Sequence, residues 1–268
     1  MTVVAVCASK GSWGASTLAL LIGAGWPSTR QVVVAECDPG GNALAARFEL
    51  SPLVGMTSLV LDRRRLVDKG LAAHLQSVPG GLEVLVGPAS PGAARSLDHE
   101  IGDLGERLFP SDVDVIADCG RIATDSRGQA GLVTSAADVV ITVGGDAASV
   151  AHAQWTSEHI SSAAPDARIT FVLVGTCPFP AEEIRHALPA GRIHSLPSDP
   201  RAAGMVCGLP GRPKHLEHGP LARAARRLVC DLTEGLSGPS AAPLGRQTPD
   251  GAGHAPGSIP VSTRAAAP

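Results

Sequence analysis

Runs of valine, isoleucine and leucine recur along this chain, too continuous for half-exposed strands and separated by stretches of helical character. They are Thr2–Ala8, Gln31–Glu36, Glu83–Gly87, Val113–Asp118, Asp138–Val143, Arg168–Gly175 and Arg192–Pro197. A strand that alternates apolar with polar residues keeps one face in water, whereas one without alternation is buried on both faces. Covering both faces of a sheet takes helices on both sides, and the intervening segments supply them. The expectation is an α/β fold, doubly wound around a mostly parallel sheet of about seven strands. Such sheets bind ligands at the carboxyl ends of their strands.

Several of those ends carry residues suited to an anion and a cation. The first run leaves into Lys10-Gly11-Ser12-Trp13-Gly14-Ala15-Ser16-Thr17, and an apolar helix opens at Thr17-Leu18-Ala19-Leu20. A glycine-bearing turn that runs into a helix gathers backbone N–H groups and the positive end of the helix dipole at one point. Gly11 and Gly14 let the backbone approach a phosphate closely, and Ser16 is placed like a Mg2+-ligating hydroxyl. The second run ends in Glu36-Cys37-Asp38-Pro39-Gly40-Gly41-Asn42. Asp-Pro-Gly-Gly is also an ordinary turn, and its position at the next strand end gives it weight. Another run ends in Asp118-Cys119-Gly120, where an acid either holds a cation or caps the following turn. The last leads into Pro197-Ser198-Asp199-Pro200-Arg201.

Taken in order, over roughly residues 2–234, these segments resemble the motifs of the ParA/MinD family of partitioning and positioning ATPases. Lys10–Thr17 is similar to the family's deviant Walker A loop, K-G-G-x-G-K-[ST]-T, and Glu36–Asn42 to its D-x-D-P-x-G-N segment, with Glu36 at the first Asp. The resemblance implies a P-loop fold with ATP and Mg2+ as cofactors. Lys10, Gly11, Ser12, Gly14, Ala15, Ser16 and Thr17 would surround the phosphates, Pro197 and Asp199 would lie beside the base, and Ser16, Asp38 and Asp118 would hold the metal. It also implies catalytic roles for Asp38, matching the acid that supports the attacking water, and for Lys10, matching the lysine that reaches across a sandwich dimer.

Two positions depart from the family pattern. Ala15 stands where the phosphate-binding lysine belongs, and Leu173–Pro178 holds no Asn to read adenine. Divergent MinD-like members share the small residue. Each charge-assisted hydrogen bond lost with the lysine is worth on the order of 1.5–3 kcal/mol. Binding should weaken roughly ten- to hundredfold, and hydrolysis more, because charge builds on the transferring phosphoryl. The implied function is a nucleotide-dependent switch in partitioning or positioning of DNA or a cellular assembly. It would act as a homodimer, or a heterodimer with a related ATPase, on DNA or a polar scaffold protein. The alternative is a nucleotide-deficient pseudo-ATPase serving as an interaction scaffold. A dinucleotide-binding enzyme using Glu36 as its ribose acid is disfavoured because G-x-G-x-x-G is absent.

The remaining features bound the setting. A formal net charge of −3 provides no overall basic field for nucleic acid or anionic lipid. No apolar run approaches the roughly 20 residues that span a bilayer, and the chain enters its first strand without a charged leader. The six cysteines form no C-x-x-C pair, which suits a reduced, cytoplasmic setting. Residues 1–236 read as one domain and 237–268, rich in Gly, Pro and Ala, as a disordered tail. Leu221–Val229 is an amphipathic helix with an arginine face, expected to dock on the sheet rather than lie on a membrane. His215 and His218 lack a convergent third ligand, and Arg63-Arg64-Arg65 reads as a solvated face.

Overall fold

The computed structural model describes residues 1–27, 29–64, 70–122, 126–188, 191–212 and 218–234. Its elements run β1 (Val3–Ala8), α1 (Ala15–Gly25), β2 (Gln31–Glu36), α2 (Ala43–Phe48), α3 (Met56–Arg64), β3 (Gln76–Ser77), β4 (Glu83–Leu85) and α4 (Pro91–Leu104). They continue as β5 (Val113–Arg121), α5 (Arg127–Thr134), β6 (Asp138–Gly144), α6 (Ala147–Ala163), β7 (Arg168–Val174), α7 (Ala181–Ala187), β8 (Arg192–Leu196), α8 (Pro200–Val206) and α9 (Pro220–Leu232). The strands form one sheet in the order β3-β4-β2-β5-β1-β6-β7-β8.

Every expected apolar run is a strand, and all of these pair in parallel. The eighth strand, β3, was not anticipated. It is two residues long and antiparallel to β4 at the sheet edge, too short to carry any periodic signal. β5 also runs past its expected end at Asp118 to Arg121.

Alternate residues of the strands feed two apolar layers. Val3, Ala5, Cys7, Val33, Ala35, Val115, Ala117 and Cys119 pack on one side with Leu59, Leu97, Leu132, Ile160 and Ile184 from α3 to α7. Val4, Val6, Ala8, Val34, Ile116 and Val140 pack on the other with α1, α8 and α9. Residues buried on both faces explain why the sequence shows no alternation. α9 docks as expected, burying Leu221, Ala225, Leu228 and Leu232 while Arg223 and Arg227 stay exposed. No helix among the described residues is long and apolar enough to cross a membrane. The segment 237–268, Arg65 and His215 lie outside the described residues.

The amino-terminal edge of the sheet is locked by one carboxylate. Asp114, buried at the start of β5, accepts hydrogen bonds from the Thr2 backbone N–H (2.7 Å), Trp26 Nε1 (3.0 Å) and Arg30 Nε and Nη2 (2.6 and 2.9 Å). Burial by itself would raise its pKa, but the bonds from Arg30, Trp26 and Thr2 outweigh burial and hold it below the usual carboxylate range. A depressed carboxyl contributes stability that is present above its unfolded pKa, near 4, and is lost as pH falls through the folded value. Asp114→Ala should therefore cost about 3 kcal/mol at pH 7. Urea denaturation of both proteins should show that difference shrinking as the pH is taken below about 4.

Candidate functional site

The loop after β1 is anchored at its start and open at its crown. Ser9 is buried; its N–H donates to the Thr142 carbonyl (3.1 Å), and its hydroxyl contacts the carbonyls of Thr142 and Ser149 (both 3.3 Å). Gly11 and Gly14 take positive φ values of 65° and 75°, and a Cβ on either would meet nothing within 4 Å. Both glycines are therefore required by backbone conformation, and they leave the crown uncovered. Gly14 is the N-cap of α1, which has no side-chain cap. The first-turn N–H groups of Ala15, Ser16 and Thr17 thus face the loop with the helix dipole behind them, the arrangement that receives phosphate. Lys10 and Ser12 are exposed, while Ala15 is buried.

Trp13 gives the loop a second anchor that the sequence did not signal. A Cβ on Gly144, at the end of β6, would collide with the indole ring. The ring therefore lies against bare backbone more than a hundred residues away, a contact only glycine permits. Gln129 was equally invisible. Buried at the start of α5, it donates from Nε2 to the carbonyls of Cys119 and Arg121 and so clamps the end of β5.

Three carboxylates crowd beneath the loop, and each is satisfied differently. Glu36 is buried, its Oε1 accepting from the N–H groups of Ala43 (2.6 Å) and Leu44 (3.1 Å) and its Oε2 from Gly87 (2.8 Å). With both oxygens committed to backbone, it cannot bind a ribose. That removes the dinucleotide reading. Asp38 accepts from the Gly40 N–H (2.7 Å) and lies against Gly120, where any Cβ would strike its carboxylate. Asp118 accepts from the Gly120 N–H (3.1 Å) and from the Ser16 hydroxyl. Burial pushes Asp118 up to about 6, and Glu36 and Asp38 add to that, while the bonds from Ser16 and Gly120 oppose it. Burial and the same negative field raise the thiols of Cys7, Cys37 and Cys119, so no thiolate nucleophile forms here.

On the far side, Pro197 and Asp199 follow the end of β8. The Asp199 carboxylate accepts from the Ala202 N–H (3.0 Å) and caps α8. Thr17 Oγ1 meets Cys207 Sγ at the end of that helix (3.3 Å). The structure thus gathers Lys10–Thr17, Asp38 and Asp118 at one edge of the sheet. Of the minor signals, Arg64 pairs with Glu100 at 3.2 Å on an exposed face.

No group of three or more His, Cys, Asp or Glu among the described residues could hold a metal alone. Mg2+ does not require one. It is commonly held by one or two carboxylates together with substrate phosphates and waters. The Ser16 hydroxyl with Asp118 and Asp38 is such a partial set, so the residues fit a Mg2+–phosphate ligand.

Solved structures share this architecture. A ParA family ATPase from Chlorobium tepidum matches with a TM-score of 0.70 at 15% identity, covering 86% of this chain and 98% of its own. MinD from Pyrococcus horikoshii, complexed with Mg-ADP, matches at 0.68 and 14%, covering 88% and 97%. An McdA–ATP complex from Cyanothece matches at 0.67 and 14%, covering 90% and 99%. The fold is ParA/MinD-like. No protein-family model matches the sequence, and no curated protein matches it. The likeness to the ParA/MinD-like structures is therefore carried by backbone architecture.

The crowding around Asp118 has a measurable sign. A carboxyl whose folded pKa is raised contributes stability that is complete below its unfolded pKa, near 4, and disappears as pH rises through about 6. Above that range its ionised form strains the ligand-free fold. With metal chelated, Asp118→Asn should exceed the wild type in stability by about 2 kcal/mol at pH 8 and match it at pH 4. Urea titrations at the two pH values check this.

Proposed function

We propose that this chain is a ParA/MinD-type nucleotide switch that binds Mg2+–ATP at Lys10–Thr17 and hydrolyses it slowly or not at all. The observation that carries this reading is the uncapped first turn of α1 behind two left-handed glycines, with the Ser16–Asp118 pair beside it. Backbone N–H groups of the loop would bind the phosphates. Ser16, Asp118 and Asp38 would hold Mg2+, which when bound supplies charge neutralisation for the phosphates. Asp38 would orient the attacking water, and Pro197 and Asp199 would border the base. With Ala15 at the lysine position, no charge from the first helical turn meets the transferring phosphoryl, which limits turnover.

The same reading makes the protein dimeric across the face bearing Lys10, Asp38 and Asp118, with Lys10 reaching the opposite nucleotide. Without ligand the facing carboxylates repel, so nucleotide or a related ATPase would promote pairing. The complex would serve partitioning or positioning of DNA or a cellular assembly, on DNA or a polar scaffold protein. Six cysteines without a disulfide support a reducing, cytoplasmic compartment. Residues 1–236 would form the switch domain. A second reading, a nucleotide-deficient scaffold paired with a related ATPase, is favoured by Ala15 and by the missing Asn at the end of β7.

Calorimetric titration with ATP and ADP, with and without Mg2+, separates the two. The switch reading expects weak Mg2+-dependent binding by the wild type, and binding about ten- to hundredfold tighter in Ala15→Lys. Silence from both proteins supports the scaffold. Tight binding with rapid turnover by the wild type would overturn the weight placed on Ala15.

A further inference from the structure

We infer that Arg121 supplies the phosphate-directed positive charge that the loop lacks at Ala15. The inference rests on the reading of this site as a nucleotide site. Its starting point is an irregularity in the sheet. β1 and β5 pair Val6 with Asp118, and the register then shifts, so that Cys7 pairs with Gly120 and Ala8 with Arg121. Without the extra residue Ala8 would face Gly120. The bulge advances Arg121 by one place, to the position beside the last residue of β1 before the loop. Bulges re-aim side chains in this way and are over-represented next to active sites.

The face is set by packing. Ala8 lies in the apolar layer that contains Ala15 and the rest of α1. Ile122, which follows Arg121, packs against the opposite layer. Residues paired across neighbouring strands share a face of the sheet, so Arg121 belongs to the face of Ala8, beneath the start of α1. Adjacent strands lie ~4.8 Å apart, less than the reach of an extended arginine side chain, and Lys10–Thr17 begins two residues beyond Ala8. Arg121 is exposed, so its side chain is accessible to a ligand arriving from solvent.

Its backbone is held in place. Gly120 takes a positive φ of 56°, and Gln129 Nε2 donates to the carbonyls on either side of it, at Cys119 and Arg121. The position therefore does not depend on a wandering loop. The chemistry is also suited to the task. Asp38 and Asp118 make the mouth negative, which opposes a polyphosphate until a cation balances it. A guanidinium stays charged at any relevant pH and meets phosphate oxygens in a two-pronged geometry. It would do so from the floor of the sheet instead of from the first turn of the helix.

The test is calorimetric titration of the full chain with Mg2+–ATP and, separately, with Mg2+–pyrophosphate, which has no base. Wild type, Arg121→Ala, Arg121→Lys, Ala15→Lys and the Ala15→Lys/Arg121→Ala double variant are compared, with Arg227→Ala on α9 as a charge-matched control. Arg121→Ala should weaken both ligands about ten- to hundredfold, with partial recovery in Arg121→Lys and no change in ligand-free melting temperature. In the Ala15→Lys background the same substitution should cost much less, because the lysine restores the missing charge. Unchanged affinity in Arg121→Ala, an equal loss in the Ala15→Lys background, or an equal loss in Arg227→Ala would each overturn the inference while leaving the nucleotide reading intact. If neither wild type nor Ala15→Lys binds either ligand, the nucleotide reading itself fails and this inference with it.

Discussion

A parallel sheet sends the carboxyl ends of its strands to one edge, and in this protein both stability and the candidate chemistry follow from what those ends and their opposites carry. β5 shows the division along a single strand. At its start Asp114 is fully engaged by Arg30, Trp26 and Thr2 and is held below the usual carboxylate range. Near its end Asp118 has the Ser16 hydroxyl and the Gly120 N–H, and burial pushes it up to about 6. β6 repeats the first half of the pattern, with Asp138 gripped by Arg168 Nε and Nη2 at 2.9 and 2.6 Å. Acids at the amino edge are paired internally and hold the sheet together. Among the described residues, the acids at the carboxyl edge are met by backbone and hydroxyl groups, the condition of a site suited to receive charge from outside.

The site tolerates that crowding because its three carboxylates are solved by different means. Glu36 is satisfied by hydrogen bonds from backbone N–H groups of two other segments, which makes it structural. Asp38 fits only because Gly120 has no side chain. Asp118 is left at the centre, where burial makes its ionised form costly and a bound divalent cation would relieve the cost. On the proposed reading, that relief on binding would be the energetic basis of a switch.

The alanine at position 15 leaves the shape of the loop intact. Its shape comes from two left-handed glycines, from Ser9 tied to β6 and α6, and from Trp13 lying on Gly144. None of these depends on the side chain at position 15. The backbone cradle thus needs no charged side chain at position 15 to hold its shape.

Features carried by local pattern were legible in the sequence. Continuous apolar runs announced strands buried on both faces. Gly11, Gly14 and the apolar stretch after them announced a turn entering a helix, because left-handed backbone and helix initiation are properties of neighbouring residues. The edge strand Gln76–Ser77 was too short to show a period, and the role of Asp199 as a helix cap was overshadowed by its motif. What only the tertiary structure decided is which distant groups meet. Trp13 finds Gly144, Gln129 clamps Cys119 and Arg121, and a one-residue bulge puts Arg121 beside Ala8. Register and close contact depend on how strands far apart in the chain align. A period along one segment determines its faces, and it contains nothing about its partner.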